Sequence, residues 1–268
     1  MASISPGEDR PVGEDRPGRE DRPVGAGGSA PGAPLPRRSE LARMIDHTLL
    51  RPEAVGEEVL ALCTEATELG VATVCVAPTH VYLAAAAARR SGPDGSQARS
   101  ADPAFAVASV IGFPHGTHLT VVKAEEARRA VADGADEIDL VIDLACAMEG
   151  NWRSIETEIA EVRLSVPPHV ILKVIIESAL LPDASIAAAC RAAETAGAEF
   201  VKTSTGFHPA GGASLRAVRV MRATIGGRLG IKASGGIRTA EQALAFVEAG
   251  ATRLGMSATR DVLAAVPE

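Results

Sequence analysis

Lys123, Lys173, Lys202 and Lys232 are the only lysines in 268 residues, although lysine and arginine together number 27. Arginine serves surface charge well, but its guanidinium stays protonated in proteins and forms no imine; a lysine whose pKa falls becomes an amine nucleophile. Three of the four stand in apolar, strand-like runs: Ile171-Leu-Lys173-Val-Ile-Ile176, Phe200-Val-Lys202-Thr-Ser204 and Gly230-Ile-Lys232-Ala-Ser234. A buried ammonium is costly unless it is paired or neutral. Lys202 is the focus, because Thr203-Ser-Thr-Gly206 puts a glycine turn directly after the amine. The competing reading of these lysines is three structural ion pairs. Lys123 lies on a helix surface and reads as solvated.

Glu137-Ile-Asp139-Leu-Val-Ile-Asp143 supplies the matching acids. A period of two puts Glu137, Asp139, Val141 and Asp143 on one face and Ile138, Leu140 and Ile142 on the other. With the acidic face inward, Asp139 meets Lys173, Lys232 or both. A lysine beside a second ammonium has its charged form disfavoured, and enzymes bring such lysines to about 7–8. Roughly three units below the usual value is about 4 kcal/mol of differential interaction. Attack on a carbonyl then gives an imine that withdraws electrons and permits C–C cleavage, with Asp139 moving protons.

Parallel strands would bring these residues together. From Ser39 onward, short β-branched runs near 44–50, 71–77, 105–111, 136–142, 170–176, 199–204, 229–234 and 252–256 alternate with alanine-rich amphipathic segments. This predicts an α/β protein, a (β/α)8 TIM barrel over residues 39–268. A doubly wound open sheet is the alternative, but no Gly-x-Gly-x-x-Gly follows the first strand. Val59, Leu62, Cys63, Ala66 and Leu69 form one helical stripe. Thr239 and Gln242 make a capping box, and Gly70, Gly134, Gly197 and Gly250 stand where left-handed helix caps should turn the chain into the next strand. In such barrels chemistry gathers at the carboxyl ends of the strands. Lys202 and Lys232 fall late in strands six and seven, and Lys173 mid-strand in the fifth.

Residues 1–38 contain Gly-Glu-Asp-Arg-Pro copies and then a Gly, Ala and Pro-rich linker, with six acids balanced by six arginines. They predict a disordered low-complexity tail without a role in chemistry. The net charge is -7 and aromatic residues are 3%, which argues against a nucleic-acid partner. There is no membrane-length apolar run and no secretory signal, and Cys63, Cys75, Cys146 and Cys190 have neither zinc nor Cys-x-x-Cys spacing. A cytoplasmic protein with free thiols is expected.

Small residues after three successive strands, Gly206, Gly235-Gly236 and Gly255-Met-Ser257, suit backbone recognition of a phosphate. His115 and His118 have usable metal spacing but no third ligand, so they read as loop histidines and no metal or cofactor is expected. Cys75 near the end of strand two either lines the pocket or packs as a small hydrophobe. Nothing resembles a nucleophile elbow.

From about residue 40 to 263 the chain resembles the 2-deoxy-D-ribose 5-phosphate aldolases, the Schiff-base-forming class I family with a TIM-barrel fold. The likeness is carried by Ile45-Asp-His-Thr-Leu49, Val110-Ile-Gly-Phe-Pro114, Asp136-Glu-Ile-Asp139, Leu172-Lys-Val-Ile-Ile-Glu177, Val201-Lys-Thr-Ser-Thr-Gly-Phe207 and Lys232-Ala-Ser-Gly-Gly-Ile-Arg-Thr239. The resemblance implies reversible, metal-independent cleavage of a phosphorylated sugar to glyceraldehyde 3-phosphate and acetaldehyde, within deoxyribonucleoside breakdown. It matches Lys202 to the imine-forming lysine, Asp139 and Lys232 to the proton-transfer pair, and Lys173 to a further lysine of the site. Gly206, Gly235, Gly236 and Ser257 match phosphate-binding positions, and Thr48, Cys75 and Thr205 match pocket-lining ones. Barrels of this kind often form homodimers.

The chain departs from the family pattern in three places. Ala258 follows Ser257 where a second hydroxyl is usual, which predicts weaker phosphate binding. His208-Pro209 replaces small polar residues, and Asp143 replaces a common Asn and would alter the charge near Asp139. Two further functions compete: a lysine aldolase for another phosphorylated sugar, and a non-catalytic phosphate-binding barrel that uses its tail for partners.

Overall fold

The computed structural model describes residues 35–90 and 103–268. The expected tail falls largely on residues 1–34, outside the described residues. Its last position, Arg38, opens the first helix, where its amide donates to Pro267 O at 3.0 Å.

In chain order the elements are α1 (Arg38–Ala42), β1 (Ile45–Leu49), α2 (Gly56–Leu69), β2 (Thr73–Val76), α3 (Val81–Arg90), β3 (Ala106–Ile111), α4 (Thr120–Asp133), β4 (Glu137–Val141), α5 (Leu144–Glu149), α6 (Trp152–Ser165), β5 (Ile171–Ile175), α7 (Asp183–Thr195), β6 (Phe200–Lys202), α8 (Leu215–Ile225), β7 (Gly230–Ser234), α9 (Ala240–Ala249), β8 (Arg253–Met256) and α10 (Thr259–Ala264). The strands close into a barrel in sequence order, every neighbouring pair parallel and β8 returning to β1. This is the (β/α)8 barrel, not the open sheet, and each strand lies within its predicted range.

The pleat sorts the residues. Ile138, Leu140, Ile142, Leu172, Val174, Val201 and Ile231 join the large apolar layer between sheet and helices, while Cys75, Ala108 and Val110 form a small separate cluster on the other side. Strand residues of alternate position thus face the lumen, where the charged side chains meet. The α2 stripe is buried as expected, with Leu69 at its edge. Gly70, Gly134, Gly197 and Gly250 all take left-handed backbones, and the Thr239–Gln242 capping box is formed.

Two expectations fail. Lys123 is not solvated: it shares the inward stripe of α4 with Ala127 and Ala130, is fully buried, donates to Val141 O at 3.0 Å, and makes a short ion pair with Glu158 of α6. Asp143 does not continue the acidic face, because β4 ends at Val141; the Asp143 carboxylate instead caps α5 by accepting from the Cys146 amide at 3.0 Å.

Candidate active site

The register explains why the charged residues converge. Asp139 pairs across the sheet with Lys173, and Lys202 with Lys232, while Lys202 stands opposite Ile175, two positions beyond Lys173 toward the carboxyl ends. Lys232 is central in β7 rather than late, and Lys202 is the last residue of β6. Gly255 makes room for this: a Cβ there would lie 3.0 Å from Lys232 Cε and 2.9 Å from Ser234 Cβ.

Asp139 is the hub. Its Oδ1 accepts from Lys173 at 2.8 Å, and its Oδ2 accepts from both Lys202 and Lys232 at 2.7 Å. Lys173 also pairs with Glu137 at 2.6 Å and Asp46 at 3.6 Å. Lys232 has a second, short bond to Asp46. Arg253 adds a fourth cation, 2.6 Å from Asp46, 2.8 Å from Thr73 and 3.4 Å from Glu137. Among these contacts Lys202 alone has a single carboxylate, and that oxygen is shared.

Counting charges decides which group yields. Lys173, Lys202, Lys232 and Arg253 are four cations against three carboxylates, Asp46, Glu137 and Asp139. A buried cluster with one charge in excess is disfavoured, and loss of one ammonium proton makes it neutral. Burial lowers the Lys202 pKa; Asp139 opposes that and Lys232 adds to it, and the net direction is down. Burial also presses on Lys173 and Lys232, but their several carboxylates more than reverse it and both rise. Burial would raise the Asp139 carboxyl, yet Lys173, Lys202 and Lys232 hold it well below the usual carboxylate range, and Asp46 is lowered against burial chiefly by Lys232 and Arg253. The site therefore presents ionised acids, two firmly charged lysines and one lysine poised to be an amine.

The family model for DeoC/LacD family aldolases matches residues 41–265. The chain belongs to the DeoC/LacD aldolase family. It is 75% identical over 231 residues to a deoxyribose-phosphate aldolase of Frankia alni, covering 86% of this chain and 99% of that one. It is 55% identical to that of Kocuria rhizophila, covering 84% and 96%. Among solved structures it is similar to the tetrameric deoxyribose phosphate aldolase of Aeropyrum pernix, with TM-score 0.73, 31% identity, and 85% and 91% of the two chains covered.

The remaining sequence-derived positions of this aldolase fall around the carboxyl ends of the strands. Thr48 and Cys75 are neighbours across β1 and β2. Cys75 is buried, and burial raises its thiol pKa, so it is a protonated wall group. Phe113, which packs on the Cys75 cluster, meets Phe207 edge-on at 5.2 Å. Gly206 and Gly235, both with positive φ, are drawn into contact: a Cβ on Gly206 would lie 3.4 Å from Gly235 Cα. Gly236 and Ser257 are exposed after β7 and β8. Thr205 is buried, its hydroxyl donating to Glu177 at 2.5 Å.

His115 and His118 are exposed, and no group of three or more His, Cys, Asp or Glu suited to a metal occurs among the described residues. No helix of the described residues is long and apolar enough to cross a membrane. Sequence reasoning missed Asp46, Arg253 and Glu177 as site residues, and left Glu137 without a role. For Asp46 the signal was present: an acid inside the predicted strand, directly after Ile45, raises the same question of burial as the lysines. Arg253 was hidden among many arginines.

Proposed function

We propose that this aldolase reversibly cleaves 2-deoxy-D-ribose 5-phosphate to D-glyceraldehyde 3-phosphate and acetaldehyde through an imine on Lys202, as a step of deoxyribonucleoside breakdown. One observation carries the assignment of Lys202: it alone of the clustered lysines has a single, shared carboxylate and a lowered pKa. The substrate identity rests on the relatives' activity.

Lys202 Nζ attacks C1 of the open-chain sugar and forms a carbinolamine. Loss of water gives the protonated imine. Removal of the C3 hydroxyl proton breaks C2–C3, releases glyceraldehyde 3-phosphate and leaves an enamine on Lys202. Protonation at C2 and addition of water free acetaldehyde and restore the amine. Asp139 and Lys232 hold and pass these protons, since Asp139 Oδ2 already bonds both lysine nitrogens. Lys173, one layer deeper and bonded to Asp46, Glu137 and Asp139, acts through Asp139 by keeping it ionised.

In this reading the backbone at Gly206, Gly235 and Gly236, with Ser257, receives the phosphate, while Thr48, Cys75 and Thr205 shape the pocket. A cytoplasmic homodimer is part of the same proposal. Turnover across a panel of phosphorylated sugars tests the substrate: deoxyribose 5-phosphate should give the highest kcat/KM, and a higher value for another sugar phosphate would replace it.

A further inference from the structure

Glu177 is the one non-glycine residue with positive φ among the described residues, at φ 46 and ψ 58, and it is fully buried. A residue with a side chain holds such a backbone only where its surroundings over-determine it, and such residues gather at functional sites. This turn follows β5 and sends the carboxylate toward the segment after β6. Both Glu177 oxygens accept from the Thr205 amide at 3.3 Å, and Oε2 also accepts the Thr205 hydroxyl. Thr205 Oγ1 in turn accepts from the Phe207 amide at 3.1 Å. No ion pair to Glu177 occurs among the described residues, so its carboxylate is committed to this one turn.

The chain between Lys202 and Thr205 is held in two different ways. Lys202 O accepts from the Ile176 amide at 3.1 Å, and Thr203 O accepts from the Ser178 amide at 2.7 Å. On the other flank, Ser234 Oγ donates to Ser204 O at 2.6 Å and the Thr203 amide donates to Lys232 O at 2.9 Å. Main-chain and Ser234 contacts therefore fix residues 202–204. Thr205 is different, because both its amide and its hydroxyl end on Glu177. The next residue, Gly206, lies against Gly235, so a rotation at Thr205 displaces the contact between two strand-end loops.

We infer that Glu177 is a positioning residue that sets the Thr205–Gly206 turn, and with it affinity for the phosphate-bearing half of the substrate, while Lys202 chemistry is held separately. This rests on the proposed roles of Lys202 and the Gly206 turn. Without the carboxylate, two buried donors of Thr205 lose their acceptor and the turn must move to satisfy them.

The test compares Glu177→Ala and Glu177→Gln with the unaltered chain, using deoxyribose 5-phosphate, unphosphorylated deoxyribose, and borohydride trapping of acetaldehyde on Lys202. Glu177→Ala is expected to raise KM for the phosphorylated sugar about tenfold or more, with kcat and acetaldehyde trapping within about threefold. Activity on the unphosphorylated sugar should change by less than about threefold, and Glu177→Gln, whose amide oxygen still accepts from Thr205, should recover part of the loss. If Glu177→Ala fails to fold, Glu177→Gln decides, and it must show a rise in KM confined to the phosphorylated sugar. Equal losses on both sugars, or a parallel fall in trapping, overturn the inference. Absence of the adduct in the unaltered chain overturns the imine reading as well, which separates the two failures.

Discussion

Lys123 and Lys202 are both buried, at 0% and 2% exposure, and both touch a carboxylate, yet their surroundings differ in kind. Lys123 bridges α4 and α6, bonded to Glu158, on which it is the one cation among the described residues, and to the Val141 carbonyl. One cation meets one anion. Lys202 shares Asp139 with Lys173 and Lys232, in a cluster where cations outnumber carboxylates. Burial alone therefore does not make a nucleophile. What sets Lys202 apart is that it competes for too few carboxylates.

The contrast is broken most severely by removing the amine itself. Lys202→Arg, which keeps the charge but forms no imine, should lower turnover by about a thousandfold or more in a steady-state assay. Next is the hub. Asp139→Asn leaves Lys173, Lys202 and Lys232 without their common partner, and turnover should fall about 10²–10⁴-fold with a lower unfolding midpoint.

At the other lysine the readouts should reverse. Lys123→Met leaves Glu158 buried without its cation, and denaturant unfolding should show a loss of about 3–5 kcal/mol, reduced by the Glu158→Gln partner substitution. kcat at a temperature where the variant is folded should stay within about threefold; a hundredfold loss would erase the distinction.

Acidity gives a further separation. The Lys202 pKa is lowered from 10.5, so kcat/KM should rise with pH through that lowered value as the free amine appears. Stability has its own pH dependence. Asp139 and Asp46 have folded pKa values below 3.8, so they stabilise the fold above that pH and the contribution is lost as pH falls through the folded values. Lys173 and Lys232 are raised above 10.5, so their contribution is present below that pH and is lost as pH climbs through the folded values. The unfolding midpoint should thus drop on the acid side below pH 3.8 and on the alkaline side above pH 10.5. The smallest expected effect is at the phosphate: Ala258→Ser, restoring a hydroxyl beside Ser257, should lower KM for the sugar phosphate by about two- to tenfold.

The barrel was legible because each βα unit states itself locally: β-branched runs, alanine-rich stripes and cap glycines such as Gly70 and Gly134 agree with one another. The meeting of Asp139 with Lys173 and Lys232 was legible too, from period two and strand order, whereas its bond to Lys202 was not. Lys123 was placed on the helix surface, although its spacing with Ala127 and Ala130 marks the inward stripe. Asp143 was misread by extending an alternation past the end of its strand, where the chain had already turned into α5. Arg253 and Glu177 were beyond local pattern. One is identified by partners on β1, β2 and β4, and the other by a backbone angle that no spacing reveals.

Borohydride reduction with acetaldehyde, followed by peptide mapping of all four lysines, tests directly whether competition for Asp139 selects the nucleophile. The adduct should form on Lys202 alone, with Lys123, Lys173 and Lys232 unmodified. An adduct on any of those three, or none at all, would contradict it.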